Sequence, residues 1–286
     1  MNFVQRLTRA ETLNDSLLCV GLDPDPARFP GSWKDDAARI FDFCASIVDT
    51  TKDLVIAFKP QIAYFAAQRA EDQLERLVAH IHRVAPEVPV ILDAKRGDIG
   101  STAEQYAREA FERYQADAVT LSPFMGYDSI EPYLRYEGKG AILLCRTSNP
   151  GGADVQAQTL VGAHGKPGDT VFEHIARLAQ GPWNRNGQLA LVVGATYPAE
   201  IERVRALAPT LPLLIPGIGA QGGDVAATVR AGWRAQDGRT VAPIIVSSSR
   251  AVLYASRGDN FAEAARQAAL ATRLQLNAAR RGTPGP

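Results

Sequence analysis

The sequence predicts an α/β fold made of a single (β/α)₈ TIM barrel, and three observations indicate it. Short runs of apolar and β-branched residues alternate with amphipathic segments along the 286-residue chain. The short runs are apolar at consecutive positions, which is typical of parallel strands covered on both faces. Eight such runs alternate with helices, and this favours a barrel over the competing architecture, a doubly wound open sheet.

The elements follow in chain order from these patterns. The predicted strands are Leu17–Asp23, Val55–Gln61, Pro89–Lys95, Ala118–Ser122, Ala141–Ser148, Leu189–Thr196, Leu213–Gly219 and Pro243–Arg250. The predicted helices between them include Ala37–Thr50, Gln73–Ala85, Ala103–Gln115 and Ala199–Ala208. Because no Pro- or Ser-rich linker or repeat interrupts the chain, we expect residues 1–279 to form one domain. We expect the tail, residues 280–286, to be disordered.

One predicted connection is much longer than the others. From Asn149 to Gln188, about forty residues separate the fifth and sixth strands, with a helix predicted over Thr170–Ala179. The segment before that helix contains five Gly and two Pro. A loop of this length is typical of a lid or an oligomer contact, and a tolerated insertion is equally consistent with the pattern. The sequence leaves the role of the loop 149–188 open.

Composition argues against several classes of protein. The 31 Lys and Arg residues balance 31 Asp and Glu residues, which argues against a general nucleic-acid or anionic-membrane surface. Apolar runs such as Leu189–Ala195 are far shorter than the ~20 residues that span a bilayer. The N-terminal residues lack the apolar stretch of a secretory signal. The three cysteines stand in apolar contexts, so we expect reduced thiols in a cytoplasmic protein.

Charged and polar residues concentrate where the predicted strands end. They are Asp23, Lys59, Asp93, Lys95, Asp98, Arg146, Ser148, Gln221 and Arg250. The carboxyl ends of barrel strands lie on one face, where barrel enzymes perform chemistry. Charges within apolar runs are costly unless paired, so several of opposite sign are expected to meet. An active site is favoured over a structural salt-bridge network that closes the barrel mouth.

The third predicted strand has the densest charge pattern. Asp93 and Lys95 are two residues apart, so on a regular strand their side chains point to the same side. A lysine held near carboxylates stays protonated. Such an ammonium group can deliver a proton to carbon or stabilise a carbanion, whereas a Schiff-base lysine must be neutral to attack. Asp98 and Thr102 follow just beyond the strand, near an expected subunit contact.

A glycine-rich loop, Pro216–Asp224, leads from the seventh strand into a helix. Its backbone N–H groups, together with Arg250, predict a phosphate site. The loop also matches the dinucleotide fingerprint Gly-x-Gly-x-x-Gly. That motif normally follows the first strand of a βαβ unit, so dinucleotide binding is disfavoured here. No metal site is predicted, since His80 and His82 face different sides of their helix.

These residues together resemble the orotidine 5′-phosphate decarboxylase family. The features that match are Asp93-x-Lys95-x-x-Asp98-Ile99, Lys59, the Pro216–Asp224 loop and Arg250. Segments 92–100 and 122–128 resemble the longer bacterial subgroup, and the similarity spans roughly residues 15 to 260. The Asp-x-Lys-x-x-Asp motif alone is shared with sister phosphosugar enzymes. Gln221 and Ser148 make the resemblance more specific.

The resemblance implies a decarboxylation of orotidine 5′-monophosphate to UMP and CO₂ in de novo pyrimidine biosynthesis, without cofactor or metal. It implies that Lys95 protonates the carbanion carbon, in a charge array with Lys59 and Asp93. It implies a homodimer, with Asp98 and Thr102 reaching the partner's site.

The resemblance also implies a set of binding residues. Asp23 would hold ribose hydroxyls and Ser148 the pyrimidine, while Gln221 and Arg250 would hold the phosphate.

Two alternative functions stay open. A Mg²⁺-dependent hexulose-phosphate synthase or keto-gulonate-phosphate decarboxylase would lose activity on chelation, and a catalytically silent barrel would bind UMP without turnover. A half of a bifunctional UMP synthase is disfavoured, since no fused domain is found in this sequence.

Overall fold

The computed structural model describes residues 1–162, 166–218 and 224–282. Its strands are β1 Leu18–Leu22, β2 Ala57–Pro60, β3 Ile91–Arg96, β4 Ala118–Leu121, β5 Gly140–Arg146, β6 Thr159–Val161, β7 Pro167–Thr170, β8 Leu189–Val193, β9 Leu213–Pro216, β10 Arg234–Gln236, β11 Arg239–Ala242 and β12 Ile244–Ser248. Its helices are α1 Phe3–Asn14, α2 Ile40–Thr51, α3 Ile62–Ala66, α4 Glu71–Val84, α5 Gly100–Arg108, α6 Glu131–Leu134, α7 Val171–Gln180, α8 Pro198–Leu207, α9 Val225–Gly232, α10 Arg250–Leu253 and α11 Phe261–Arg281. A π-helical turn, Glu109–Arg113, continues α5.

Eight of these strands form a parallel barrel, as predicted. The order around the sheet is β2-β1-β12-β9-β8-β5-β4-β3. Two parallel bridges, Phe58 with Val90 and Gln61 with Asp93, join β2 to the β3 segment and close the ring. The doubly wound open sheet is therefore wrong. The closed ring places the carboxyl ends of all eight strands on one face.

The apolar residues divide into an outer and an inner core. The larger cluster lies between the strands and the surrounding helices. The smaller cluster takes buried side chains from every barrel strand and adds Phe3, Leu7 and Ala10 of α1. Helix α1 therefore packs against the amino-terminal ends of the strands, and the opposite face is left for polar residues.

Two short hairpins and the end of the last helix differ from the sequence prediction. The pairs β6–β7 and β10–β11 are antiparallel hairpins with three or four residues a strand. Strands this short and exposed carry too few residues for a periodic signal, so the sequence did not reveal them. Helix α11 continues through Arg281. Arg280 and Arg281 are therefore helical, although the sequence predicted a disordered tail from Arg280. Residues 283–286 lie outside the described residues.

The three cysteines lie in the interior of the protein. Cys19, Cys44 and Cys145 are buried and unpaired. Burial raises the pKa of the Cys19 thiol to about 12, which makes it a poor nucleophile. None of the helices in the described ranges has the length and apolar character needed to cross a membrane.

Asp117 is a buried carboxylate just before β4. Its Oδ1 accepts a hydrogen bond from Arg6 Nη1 of α1 at 2.5 Å, and its Oδ2 accepts one from the Val90 N–H at 2.9 Å. The same Oδ2 lies 3.1 Å from His82 Nε2 of α4. Burial opposes ionisation of Asp117, but His82, the Val90 N–H and Arg6 together hold its pKa below the ordinary value. Asp117 thus ties α1 and α4 to the barrel.

We expect Asp117→Asn to lower the free energy of unfolding by about 2 kcal/mol near neutral pH, because Arg6 loses its charged partner. The depressed pKa means that the contribution of Asp117 is present above the ordinary carboxyl pKa. That contribution is lost as the pH falls through the folded-state pKa. The variant should therefore lose less stability than the wild type on acidification, measured as denaturant midpoints at neutral and acidic pH. Identical losses in both proteins would contradict this role.

Candidate active site

Two adjoining cavities open at the carboxyl ends of the barrel strands. The larger has a volume of about 520 Å³ and the smaller about 200 Å³. Lys59, Asp93 and Pro216 line both cavities, so the two form one continuous site around these residues. The face that the sequence singled out by its charges therefore contains a pocket.

Asp93 is the centre of the charge arrangement. Its Oδ2 accepts a hydrogen bond from Lys59 Nζ at 2.7 Å, and its Oδ1 accepts one from Lys95 Nζ at 2.5 Å. The side chains of Lys59 and Asp93 are only 8% and 10% exposed, whereas Lys95 is 47% exposed. Lys95 is therefore the member of the trio whose ammonium group is most open to a ligand.

Burial and charge act in opposite directions on this trio. Burial opposes ionisation of Asp93, but the charges of Lys59 and Lys95 hold the pKa of the carboxyl far below its usual range. Burial likewise opposes protonation of Lys59, yet Asp93 and Asp23 raise the pKa of its amine well above the usual value. Both groups therefore stay charged at neutral pH, as a fixed ion pair at the base of the site.

Strand β3 bulges where it presents these side chains. Leu92 pairs with Val119, but the next pair is Arg96 with Leu121, so β3 contains extra residues relative to β4. Within the bulge, Lys95 has φ +47°, in the left-handed region that lysine rarely adopts. The regular alternation that predicted Asp93 and Lys95 on the same side of the strand does not apply here. The Asp93–Lys95 contact forms within the bulge.

Thr120 is a site residue that the sequence analysis missed. It is 1% exposed on β4, and its hydroxyl bonds Asp93 and the β3 bulge. The available signal was a single hydroxyl residue inside the apolar run Ala118–Leu121. The pattern of charges at strand ends does not reveal Thr120, because it is uncharged and lies within its strand.

The start of the long connection forms one wall of the larger cavity. Ser148 and Gln156 line it, with Gly151, Gly152 and Val155 between them. Gln156 Oε1 accepts a hydrogen bond from the Thr147 N–H at 2.8 Å, and its Nε2 donates to Thr147 Oγ1 at 2.9 Å. The segment is thus bound to the end of β5. Part of the loop whose role the sequence left open is a pocket wall.

Gly194 permits a close approach beside Ser148. A Cβ atom at Gly194 would lie 2.8 Å from the backbone N of Ser148, which is closer than a Cβ atom can approach. The Gly194 N–H also donates to the Arg146 carbonyl at 2.8 Å. Only glycine therefore lets the residue after β8 pack directly against the chain at Ser148.

The smaller cavity contains Asp23 and Arg250. Asp23 Oδ2 accepts a hydrogen bond from Ser249 Oγ at 2.5 Å, and its backbone carbonyl accepts one from Tyr254 Oη at 2.9 Å. Asp23 Oδ1 is buried and has no hydrogen-bond partner within the described part of the chain. Strand β12 ends at Ser248, before the predicted strand end at Arg250. Arg250 is instead the first residue of α10.

Arg146 does not join the site, although it ends β5. Its Nε lies 2.9 Å from Glu200 Oε2 of α8, and its side chain is 6% exposed. This ion pair links β5 to α8 outside the two cavity linings. A charge at a strand end is therefore not by itself a sign of a site residue.

Two predicted site residues, Asp98 and Thr102, do not line either cavity in this chain. Asp98 Oδ1 accepts a hydrogen bond from the Ile99 N–H at 2.8 Å, and Thr102 is exposed in the first turn of α5. Gln221 lies outside the described residues. Within the ranges described, no group of three His, Cys, Asp or Glu side chains could hold a metal ion.

The chain is similar to known proteins over nearly its whole length. Residues 16–268 match the family described as orotidine 5′-phosphate decarboxylase / HUMPS. Orotidine 5′-phosphate decarboxylases of Methylibium petroleiphilum and Leptothrix cholodnii are each 76% identical over 98% of this chain and 100% and 98% of their own. The structure of Leishmania donovani OMP decarboxylase has a TM-score of 0.82 and 38% identity, covering 99% of this chain and all of the other. This chain belongs to the orotidine 5′-phosphate decarboxylase / HUMPS family.

Proposed function

We propose that this protein decarboxylates orotidine 5′-monophosphate to UMP and CO₂ without a cofactor, in cytoplasmic pyrimidine biosynthesis. The observation that supports this most directly is the ionised Asp93 held between the ammonium groups of Lys59 and Lys95 at the base of a cavity. The names of relatives 76% identical over nearly the whole chain point to the same reaction.

The reaction needs a fixed positive charge. When the bond between the pyrimidine ring and the carboxylate breaks, its electron pair stays on the ring carbon, which has no adjacent carbonyl to accept it. An ammonium group beside that carbon stabilises the negative charge and then donates a proton to it. We assign this role to Lys95, because its ammonium group is the more exposed of the two. The neutral amine left behind regains its proton from water.

Asp93 and Lys59 fix the position of that ammonium group. Asp93 stays ionised, and its Oδ1 accepts a hydrogen bond from Lys95 Nζ at 2.5 Å that holds the ammonium group in place. The buried Lys59 Nζ donates a hydrogen bond to the other carboxylate oxygen, Asp93 Oδ2, and balances the charge of Asp93. Because these groups are oriented before substrate binds, they need no reorganisation in the transition state.

The two joined cavities suit the two ends of a nucleotide. Asp23 Oδ1 is an unused acceptor, which suits a ribose hydroxyl. Ser148 lines the larger cavity beside Lys95, where we place the pyrimidine. Arg250 lines the smaller cavity, where we place the phosphate, and the glycine-rich loop with Gln221 is assigned to the same group.

We further propose that the active form is a homodimer in which Asp98 and Thr102 complete the partner's site. Gly97 packs closely against Ser122, so the loops after β3 and β4 lie side by side. On these loops Ile99 is 51% exposed and Phe124 85% exposed. Exposed apolar side chains next to Asp98 are what a subunit contact requires.

The reaction and the role of Lys95 can be tested together. We expect the wild type to consume orotidine 5′-monophosphate and release CO₂ in the presence of EDTA. Lys95→Ala should lower kcat by about 10³-fold or more while UMP still binds, since the phosphate and ribose contacts remain. Lys52→Ala, at the end of α2, is the matched control and should keep full activity.

Three results would contradict this proposal. Near-normal turnover by Lys95→Ala would remove Lys95 from the chemistry. If the wild type is inactive in EDTA but gains a phosphosugar activity with Mg²⁺, it belongs to the metal-dependent branch of the family. Tight UMP binding without any turnover would indicate a binding protein.

The dimer can be tested by mixing two inactive variants. Lys95→Ala and Asp98→Ala protomers should form heterodimers in which one site keeps Lys95 from one chain and Asp98 from the other. After subunit exchange we expect about a quarter of wild-type activity, because half of the dimers are mixed and each has one intact site. If the mixture stays as inactive as its components while sedimentation shows mixed dimers, Asp98 acts within its own chain or not at all.

A further inference from the structure

The hydroxyl of Thr120 makes three hydrogen bonds at the centre of the site. Its Oγ1 accepts the N–H groups of Ala94 and Lys95, both at 3.0 Å. The same hydroxyl donates to Asp93 Oδ1 at 3.0 Å. A hydroxyl has one proton and two lone pairs, so its hydrogen-bonding capacity is fully used by the β3 bulge.

These bonds replace those that a regular strand would make. The register shift between β3 and β4 separates the bulge from the neighbouring strand, and its N–H groups need other acceptors. Lys95 also has φ +47°, a conformation that lysine keeps only when its surroundings fix it. Thr120 satisfies the N–H of the strained residue itself and that of the residue before it.

The third bond connects the same hydroxyl to the chemistry. Asp93 Oδ1 accepts both Lys95 Nζ and Thr120 Oγ1, so the hydroxyl fixes the carboxylate that holds the ammonium group. Resting on the proposed function, we propose that Thr120 is a positioning residue for proton delivery. It holds the backbone of Lys95 in its left-handed conformation and orients Asp93.

The hydroxyl is not needed to fill space in the strand. Thr120 stands between Val119 and Leu121, all three 1% exposed or less. Valine has nearly the same shape, and buried strands accept it readily. What Val lacks at this position is the ability to bond the bulge and Asp93.

The test is to remove the hydroxyl and keep the shape. We expect Thr120→Val to lower kcat by about ten- to a hundredfold, because two N–H groups and one carboxylate oxygen lose their partner. KM and inhibition by UMP should change less than about twofold, since the ribose and phosphate contacts lie elsewhere. Thr120→Ser restores the hydroxyl and should recover most of kcat.

A matched control separates this role from the loss of any buried hydroxyl. Thr51 of α2 is also fully buried, and its hydroxyl donates to the Ile47 carbonyl at 2.7 Å. Thr51→Val should leave kcat and KM unchanged. Thermal unfolding of each variant shows which are folded, and if Thr120→Val is not, Thr120→Ser against Thr120→Ala isolates the same hydroxyl.

The outcomes distinguish this inference from the proposed function. Thr120→Val with wild-type kcat overturns the positioning role. A lower kcat with an equally large rise in KM and an equally large weakening of UMP binding, none of which Thr120→Ser recovers, also overturns it. That pattern indicates general damage to the site. A wild type that does not decarboxylate orotidine 5′-monophosphate contradicts the proposed function instead.

Discussion

The site depends on one interaction, the ionised carboxylate of Asp93 between two ammonium groups. Removing Asp93 and Lys59 from water is costly, and it is tolerated only where the charges are paired in good geometry. The closed barrel meets this condition because β2 and β3 are neighbours in the ring. Lys59 and Lys95 therefore reach opposite oxygens of one carboxylate.

The two ends of the barrel divide the tasks of stability and chemistry. At one end, α1 adds Phe3 and Leu7 to the inner core, and Asp117 binds α1 to the strands. At the other end, strand ends and loops hold polar groups around the joined cavities. A bulge at Lys95 and a close approach at Gly194 are local departures from regular structure, and both occur at the site. Such departures persist where the surrounding structure fixes them.

The sequence predicted the barrel and the charged strand ends well, because both follow from patterns local in the chain. Apolar runs located all eight barrel strands to within three residues at each end, and Lys59, Asp93 and Lys95 stood out as charges within them. The eighth strand was extended too far, to Arg250, since a short helix after a strand gives no separate periodic signal.

What the sequence did not predict depends on contacts between distant segments. Thr120 forms hydrogen bonds with a strand that ends 24 residues earlier, at Arg96. In the sequence alone, nothing distinguishes it from any other threonine in an apolar run. Gln156 lines the larger cavity because the loop returns to Thr147, a contact that the sequence pattern does not show. Arg146 looked like a site residue, but its ion pair with Glu200 lies outside the cavities. The partner roles of Asp98 and Thr102 remain predictions.

The ionisation of Asp93 is the central claim, and it can be measured directly. Carbon-13 NMR of a protein labelled at the aspartate carboxyls, with Asp93→Asn to assign the signal, follows this group alone. We predict that the Asp93 signal stays that of a carboxylate on acidification to about pH 4, where an ordinary aspartate is half protonated. A midpoint at or above the ordinary aspartate pKa would contradict the fixed charge array on which the proposed mechanism rests.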